Sequence, residues 1–439
     1  MSIPNNMLKS QRHPAGLYIL FFTEMWERFS YYGMRSLLVY YMIKHLQFSQ
    51  IRSSEIYGLY TGFVYFTPLF GGMLADRVLG QRRTVILGGM LMAIGHFLMA
   101  VESLFYPALF FLILGNGAFK PNISTQVGAL YPAGDHRRDR AFSIFYMGIN
   151  LGAFFSPIVC GTLGEKIGYH WGFAAAGVGM VIGLLVYLWG QKYLAPDLIM
   201  QKKGLKQEKT TEPMTREDWV KIGAIFVMMS LCIVFWSVYE QQGNTMALWA
   251  DANTDRMVFG WEMPATWYQS FNPLMIFIFV PVLNIFWGWQ DRRGKEPSSI
   301  AKMGIGCMLL AAGFLVLIMP ARDLAVTPRS SLWWLTSCTF MLTIGEIYLS
   351  PIGLSLVTKI APARVVSMMM GVWFLSSFFG NYLSGYLGTF WEKMPKENFF
   401  LLMFALSFAA GLAFFGLLKP MKKAIGKTNS DDADVIKKK

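Results

Sequence analysis

The sequence predicts an all-α polytopic membrane protein of about twelve spans, arranged as two six-helix halves. Three observations predict it. The chain of 439 residues is 54% hydrophobic but only 15% charged, against roughly a quarter charged in soluble domains. Apolar runs of the roughly 20 residues needed to cross a bilayer recur along almost its whole length. One long polar interruption, "APDLIMQKKGLKQEKTTEPMTRED" at 195–218, divides those runs six and six. A transmembrane β-barrel would need alternating segments of about ten residues, and the sequence does not alternate in that way.

In order, the first half reads as spans at 15–43, 53–75, 84–102, 105–130, 140–163 and 171–193. The second reads as spans at 217–249, 264–289, 298–320, 331–359, 365–390 and 397–418. The expected organisation is a bundle over 1–194, a cytoplasmic linker over 195–216, a second bundle over 217–418 and a basic cytoplasmic tail over 419–439. With both termini inside and residues at span ends counted with the adjoining segments, 28 of the 39 Lys and Arg fall on the cytoplasmic side, 8 outside and 3 deep within spans. The formal charge of +13 is therefore a positive-inside bias. It fixes orientation and gives no reason to expect nucleic acid. The Lys-rich tail after Lys419 has the same origin, with weak attraction to anionic lipid added.

The polar start "MSIPNNMLKSQRH" leads into a long span, not into a short apolar region with a cleavage site, so no cleavable signal peptide is expected. Cys160, Cys232, Cys307 and Cys338 lie far apart inside apolar segments. They imply neither a disulfide framework nor zinc spacing and read as small packing residues. His96, near the outer end of its span, reads as structural.

The halves repeat each other. "LILGNGAFKPNISTQVGALYP" (112–132) aligns without a gap to "LTIGEIYLSPIGLSLVTKIAP" (342–362), setting Gly115, Pro121 and Pro132 opposite Gly345, Pro351 and Pro362. "AFSIFYMGINLGAFF" runs parallel to "VVSMMMGVWFLSSFF", and Pro68 lies opposite Pro281 at a spacing that sets Glu27 opposite Glu240. A duplicated six-helix half is the layout of transporters whose site lies at mid-membrane between two rocking bundles. "GGMLADRVLGQRR" (71–83) resembles the loop signature of the major facilitator superfamily, with Gly72, Asp76, Arg77, Gly80 and Arg83 in order. A carboxylate and several guanidinium groups at a cytoplasmic helix junction can clamp two helices in one state and release them in another, so Asp76, Arg77 and Arg83 are expected to form a cytoplasmic gate.

The first span carries charges that lipid would reject. Glu24, Glu27, Arg28, Tyr31 and Arg35 fall within an arc of about 100° on a helix, opposite an arc of Phe, Leu and Met. Each charge facing lipid near mid-bilayer costs about 2.5–3.5 kcal/mol, so these must pair and face a watery cavity. Lys120 on the fourth span, Glu240 on the seventh and Glu346 on the tenth complete a set of three bases and four acids. One acid is surplus, and an uncompensated acid in such a place is a natural proton carrier.

At these residues the resemblance becomes specific. "EMWERFSYYG" resembles the E-x-x-E-R-F-x-Y-Y-G signature on the first helix of the proton-dependent oligopeptide transporter family. "FKPNIS", "YEQQGNT", "YQSFNPL", "GEIYLSPIGLSLVTKIAP" and "GVWFLSSFFGNYLSG" extend the similarity over all twelve spans. The resemblance implies a proton-coupled symporter that takes up di- and tripeptides by alternating access. It implies no cofactor beyond the proton gradient, no metal, no catalytic residue and function as a monomer in a bacterial inner membrane. It further implies that Arg35 and Lys120 bind the peptide carboxylate while Glu346, helped by Asn272, binds the amino terminus. Glu24, Glu27, Arg28 and Lys120 match the salt-bridge and proton relay. Glu240 matches an acid that exchanges protons and pairs with a first-helix arginine, here Arg35, to close the outer gate. Tyr31, Tyr32, Tyr65 and Asn150 match peptide contacts, and Trp373 and Ser377 the eleventh-helix pocket wall.

Two departures bear on mechanism. The linker has no room for the two extra helices of many bacterial members, and the ninth and tenth spans are joined by only "ARDLAVTPRS" where animal members carry an external domain. Gly58 stands in the region of the animal members' second-span histidine, so coupling is expected to run through carboxylates. The alternatives are a facilitator for nitrate or a drug-like solute, and a non-transporting peptide sensor. A membrane-embedded enzyme would need a nucleophile with its base or a metal cluster, and five His and four scattered Cys offer neither.

Overall fold

The computed structural model describes residues 12–132, 135, 137–197, 214–362 and 365–425. Most of the expected linker and most of the expected tail lie outside these. The first half comprises α1 (Ala15–Tyr40), α2 (Gln50–Phe66), α3 (Pro68–Leu74), α4 (Gln81–Leu98), α5 (Phe105–Ala129), α6 (Arg137–Lys166) and α7 (Tyr169–Gly190). The second comprises α8 (Arg216–Tyr239), α9 (Thr245–Ala252), α10 (Phe271–Arg292), α11 (Ser299–Arg322), α12 (Leu332–Ile360), α13 (Val366–Gly388), α14 (Lys396–Gly416) and the short α15 (Leu418–Ile425). Helices dominate because lipid offers backbone N–H and C=O groups no partner, so each span must satisfy its own. Among the described residues, eight helical stretches are long and apolar enough to cross a membrane by length and composition alone. α1 falls outside that set because Glu24, Glu27, Arg28 and Arg35 interrupt it.

The chain forms two compact units. One holds the chain up to Leu38 and from Phe66 through α7; the other holds 39–65 and everything from α8 onward. Residues 39–65, which the repeat assigns to the first half, thus cluster with the second. Gln50 Nε2 donates to the Gly388 carbonyl at 2.9 Å, Ser54 Oγ to Asn244 Oδ1 at 2.9 Å, and Tyr40 to the Ala247 carbonyl at 2.7 Å. Gly58 and Gly385 touch backbone to backbone: a Cβ on Gly58 would lie 2.5 Å from the Gly385 Cα.

The repeat reappears as packing. In one unit α4 packs on α5 and α7, and in the other α11 packs on α12 and α14 in the corresponding way. The same contact locks each pair. A Cβ on Gly115 would lie 2.7 Å from the Gly88 carbonyl oxygen, and a Cβ on Gly345 2.7 Å from the Gly306 carbonyl oxygen. Close backbone approach at small residues is how helices gain contact when lipid removes the hydrophobic drive between them. Gly345→Ala is therefore expected to lower stability by about 1–3 kcal/mol, read as a lower melting temperature in detergent. Gly416→Ala, where a Cβ meets nothing within 4 Å, should leave it unchanged.

Two spans are broken. The second divides at Thr67, where Pro68 opens α3; Pro281, its partner in the repeat, lies inside the uninterrupted α10. The seventh divides at the sequence "EQQG": α8 ends at Tyr239, Glu240–Gly243 form a 3₁₀ turn, and α9 starts at Thr245. Gln241 pins the break, donating to the Ser384 carbonyl on α13 at 2.9 Å and accepting from Thr245 Oγ1 at 2.8 Å. At "ADRVLG" a π-helical turn over Ala75–Leu79 ends on Gly80, whose φ of 83° favours glycine. All four cysteines are buried in helix contacts with no accessible surface, Cys160 against Gly33.

Candidate functional site

Two polar clusters stand out, one in each unit. The first is built on α1. Residues 24 and 28 are one turn apart and 27 is adjacent, so Arg28 reaches both acids. Its Nε lies 2.7 Å from Glu24 Oε1 and 3.0 Å from Glu27 Oε2. Glu24 and Glu27 are 1% and 0% exposed and Arg28 4%. Two buried carboxylates therefore share one guanidinium. Asn116 of α5 donates to Glu27 Oε1 at 3.1 Å, and Lys120, one turn further along α5, is close enough for its charge to act on Glu27. Buried ions of this kind persist only with partners and hydrogen bonds in place. Tyr31 and Tyr32 stand edge to face with ring centroids 5.1 Å apart, and the half-buried Arg35 guanidinium lies 5.9 Å from the Tyr32 ring.

The second cluster gathers at the break in the seventh span. Glu346 of α12 accepts hydrogen bonds through Oε2 from the Tyr239 hydroxyl and from Asn272 Nδ2, the latter at 3.1 Å. Asn272, on the first turn of α10, also lies 3.0 Å from Tyr239 Oη and donates to Thr343 Oγ1 at 3.0 Å. Glu240 follows Tyr239 directly, is buried, and acts on Glu346 as a like charge. Glu346 is thus held by neutral donors, which orient its carboxylate without cancelling its charge. A cation would find it aimed and unneutralised by them.

The remaining expected residues are placed as follows. Asn150 is buried on α6 and donates to the Tyr146 carbonyl at 3.0 Å. Tyr65 is half-buried near the end of α2. Trp373 is buried on α13, its ring packed so closely on α12 that a Cβ on Gly353 would lie 2.5 Å from it. Ser377, one turn on, is half-buried, and its carbonyl accepts from Asn381 Nδ2 at 2.9 Å.

In the 71–83 loop, Asp76, Arg77 and Arg83 are all exposed. The anchoring residue there is Arg82. It donates through Nη2 to the Leu194 and Ala195 carbonyls, both at 2.6 Å, while Asp197 accepts from the backbone N–H groups of Gln81 and Arg82 at 2.9 and 3.2 Å. This carboxylate caps the start of α4, where its charge suits the helix dipole. Sequence reasoning missed Arg82, Asp197, Asn116, Tyr239 and Thr343. Tyr239 and Asn116 lie inside quoted stretches, "YEQQGNT" and "LILGNGAFKPNISTQVGALYP", and an amide or phenol next to an intramembrane charge was the available signal.

The sequence profile of the POT family matches residues 82–203 and 195–402. The chain is 34% identical to "Peptide transporter YePEPT" of Yersinia enterocolitica over 86% of its own length and 88% of that protein. It is 31% identical to the "Di-/tripeptide transporter" of Lactococcus lactis subsp. cremoris over 94% and 97%. A crystal structure of a variant of peptide transporter POT in complex with alafosfalin superposes with a TM-score of 0.86 at 31% identity, covering 97% of this chain and all of that one.

Proposed function

The chain belongs to the POT family, and from that premise we propose that it is a proton-coupled symporter of di- and tripeptides with a major facilitator fold, working by alternating access. The observation that carries the proposal is the buried Glu24–Arg28–Glu27 triad, in which two acids share one base. Protonation of one carboxylate loosens its hold on Arg28 and on Lys120, and Lys120 then joins Arg35 in binding the peptide carboxylate. Glu346, oriented by Asn272 and Tyr239, takes the peptide ammonium. Tyr31, Tyr32, Tyr65, Asn150, Trp373 and Ser377 contact the peptide between its ends. Glu240 pairs with Arg35 to close the outer gate, and Asp76, Arg77 and Arg83 serve the cytoplasmic one. A ligand drives such a cycle only through unequal affinity for the two states.

We place the protein in a bacterial inner membrane with both termini cytoplasmic, on the strength of its basic-residue distribution, and take it to act as a monomer, without cofactor or metal and without catalysing a reaction. The test is reconstitution in liposomes with acid imposed outside and labelled dialanine supplied. Dialanine should accumulate above its external concentration, and an uncoupler should release it. Accumulation of nitrate instead would favour another facilitator substrate, and saturable binding without uptake would favour a sensor.

A further inference from the structure

On the far face of α1 from the ion-pair triad lies an apolar slot of about 590 Å³. Met25, Trp26 and Phe29 form its floor, α6 contributes one wall from Leu151 to Leu163, and α7 the other from Trp171 to Ile182. Small residues hollow it out: Gly152 on α6, and Ala174, Ala175 and Gly179 on α7. It cannot close by sliding. A Cβ on Gly152 would lie 2.2 Å from the Met25 carbonyl oxygen, one on Gly179 2.6 Å from the Phe29 ring, and one on Gly183 3.0 Å from the Trp26 Cβ. Both wall helices already rest on α1. The rim residues Phe155, Val159, Trp171 and Val178 are 41–62% exposed, which in membrane-spanning helices means exposure to lipid.

The dimensions select the occupant. From Trp171 to Ile182 the wall runs about 16 Å at 1.5 Å per residue, close to half of a hydrocarbon core about 30 Å thick. One end lies beside Trp171, at the α6–α7 turn, where an aromatic marks the membrane interface. The other end reaches Met25–Phe29, the middle of α1. The slot therefore spans one leaflet, from interface to mid-membrane. An extended hydrocarbon chain matches that one-leaflet length and the apolar lining; a helix of a second copy is the competing occupant. Water is no candidate for a slot without polar partners.

We propose that this slot is a resident site for one phospholipid acyl chain, entering from the leaflet beside Trp171 with its methyl end against Trp26. Since bulk lipid is as apolar as the slot, retention comes from three-sided packing contact. A chain lying there also supports α1 from behind, directly under the residues that interleave with Glu24, Glu27 and Arg28.

The test uses the full chain in nanodiscs of phosphatidylcholine bearing a diazirine on one acyl chain, washed into detergent before irradiation, with adducts mapped by mass spectrometry. Adducts should concentrate at least about tenfold on segments 25–29, 151–163 and 171–182 over equally exposed faces such as Leu401, Phe408 and Leu412 of α14. A diazirine at the chain end should mark Met25–Phe29, and one near the carbonyl should mark Leu163 and Trp171. Ala175→Phe, which fills the slot, should remove the enrichment; the position-dependent labelling of the unmodified chain stands independently should that variant fail to fold. Even labelling of all apolar faces, reversed depth, or a protein–protein adduct at the slot would overturn the proposal.

Discussion

Glu27→Gln should leave a protein that still exchanges labelled for unlabelled dialanine across a liposome membrane yet no longer concentrates it. The amide keeps the volume of the side chain and an acceptor for Asn116, and Arg28 keeps Glu24 at 2.7 Å, so the bundle should fold. What disappears is the second acid of the triad and with it a site for the driving proton. Moving one charge through 100 mV is worth about 2.3 kcal/mol, enough to hold a peptide about 50-fold above its external level. The variant should hold a ratio of about 1 under the same potential. The measurement is the steady-state ratio of labelled dialanine with and without the gradient, alongside counterflow. Uphill uptake at the unmodified level would remove Glu27 from the coupling step.

The second large effect concerns Glu346→Gln. Truncating one partner of a desolvated charge pair costs about 2–5 kcal/mol, so dialanine affinity should fall by about 30-fold or more. Tyr239 and Asn272 remain in place to hydrogen-bond the new amide, which limits damage to the fold. N-acetyl-dialanine lacks the ammonium group and should bind the unmodified protein and the variant alike. Equal losses for both ligands would mean that the substitution disturbs the pocket generally and that Glu346 does not meet the amino terminus. The comparison is made by competition binding in detergent.

The spans were legible because a bilayer imposes a length and a polarity that composition alone reveals. The internal repeat was legible for a similar reason. Gly115 and Gly345 recur because each admits a neighbouring carbonyl that a Cβ would exclude, and that shared contact is what the alignment detected. The charged stripe on α1 could be read from helical geometry, since pairing within one turn needs no knowledge of the fold. What the chain hid were contacts between distant segments. Nothing local says that Asn116 meets Glu27, that Tyr239 bonds Glu346 from α8, or that Arg82 rather than its exposed neighbours is tied to Leu194 and Ala195. The grouping of 39–65 with the second half is hidden in the same way, because Gly58 and Gly385 are small for each other's sake and 327 positions apart in number.

The burial of Cys160, Cys232, Cys307 and Cys338 has a practical side. Polar thiol reagents reach only solvated sulfur, so these side chains are closed to aqueous maleimides in the folded protein. Spectroscopic probes can therefore be attached at single introduced cysteines in water-exposed positions, with the native four left in place. Distance measurements during turnover then become possible on a chain whose own packing is undisturbed.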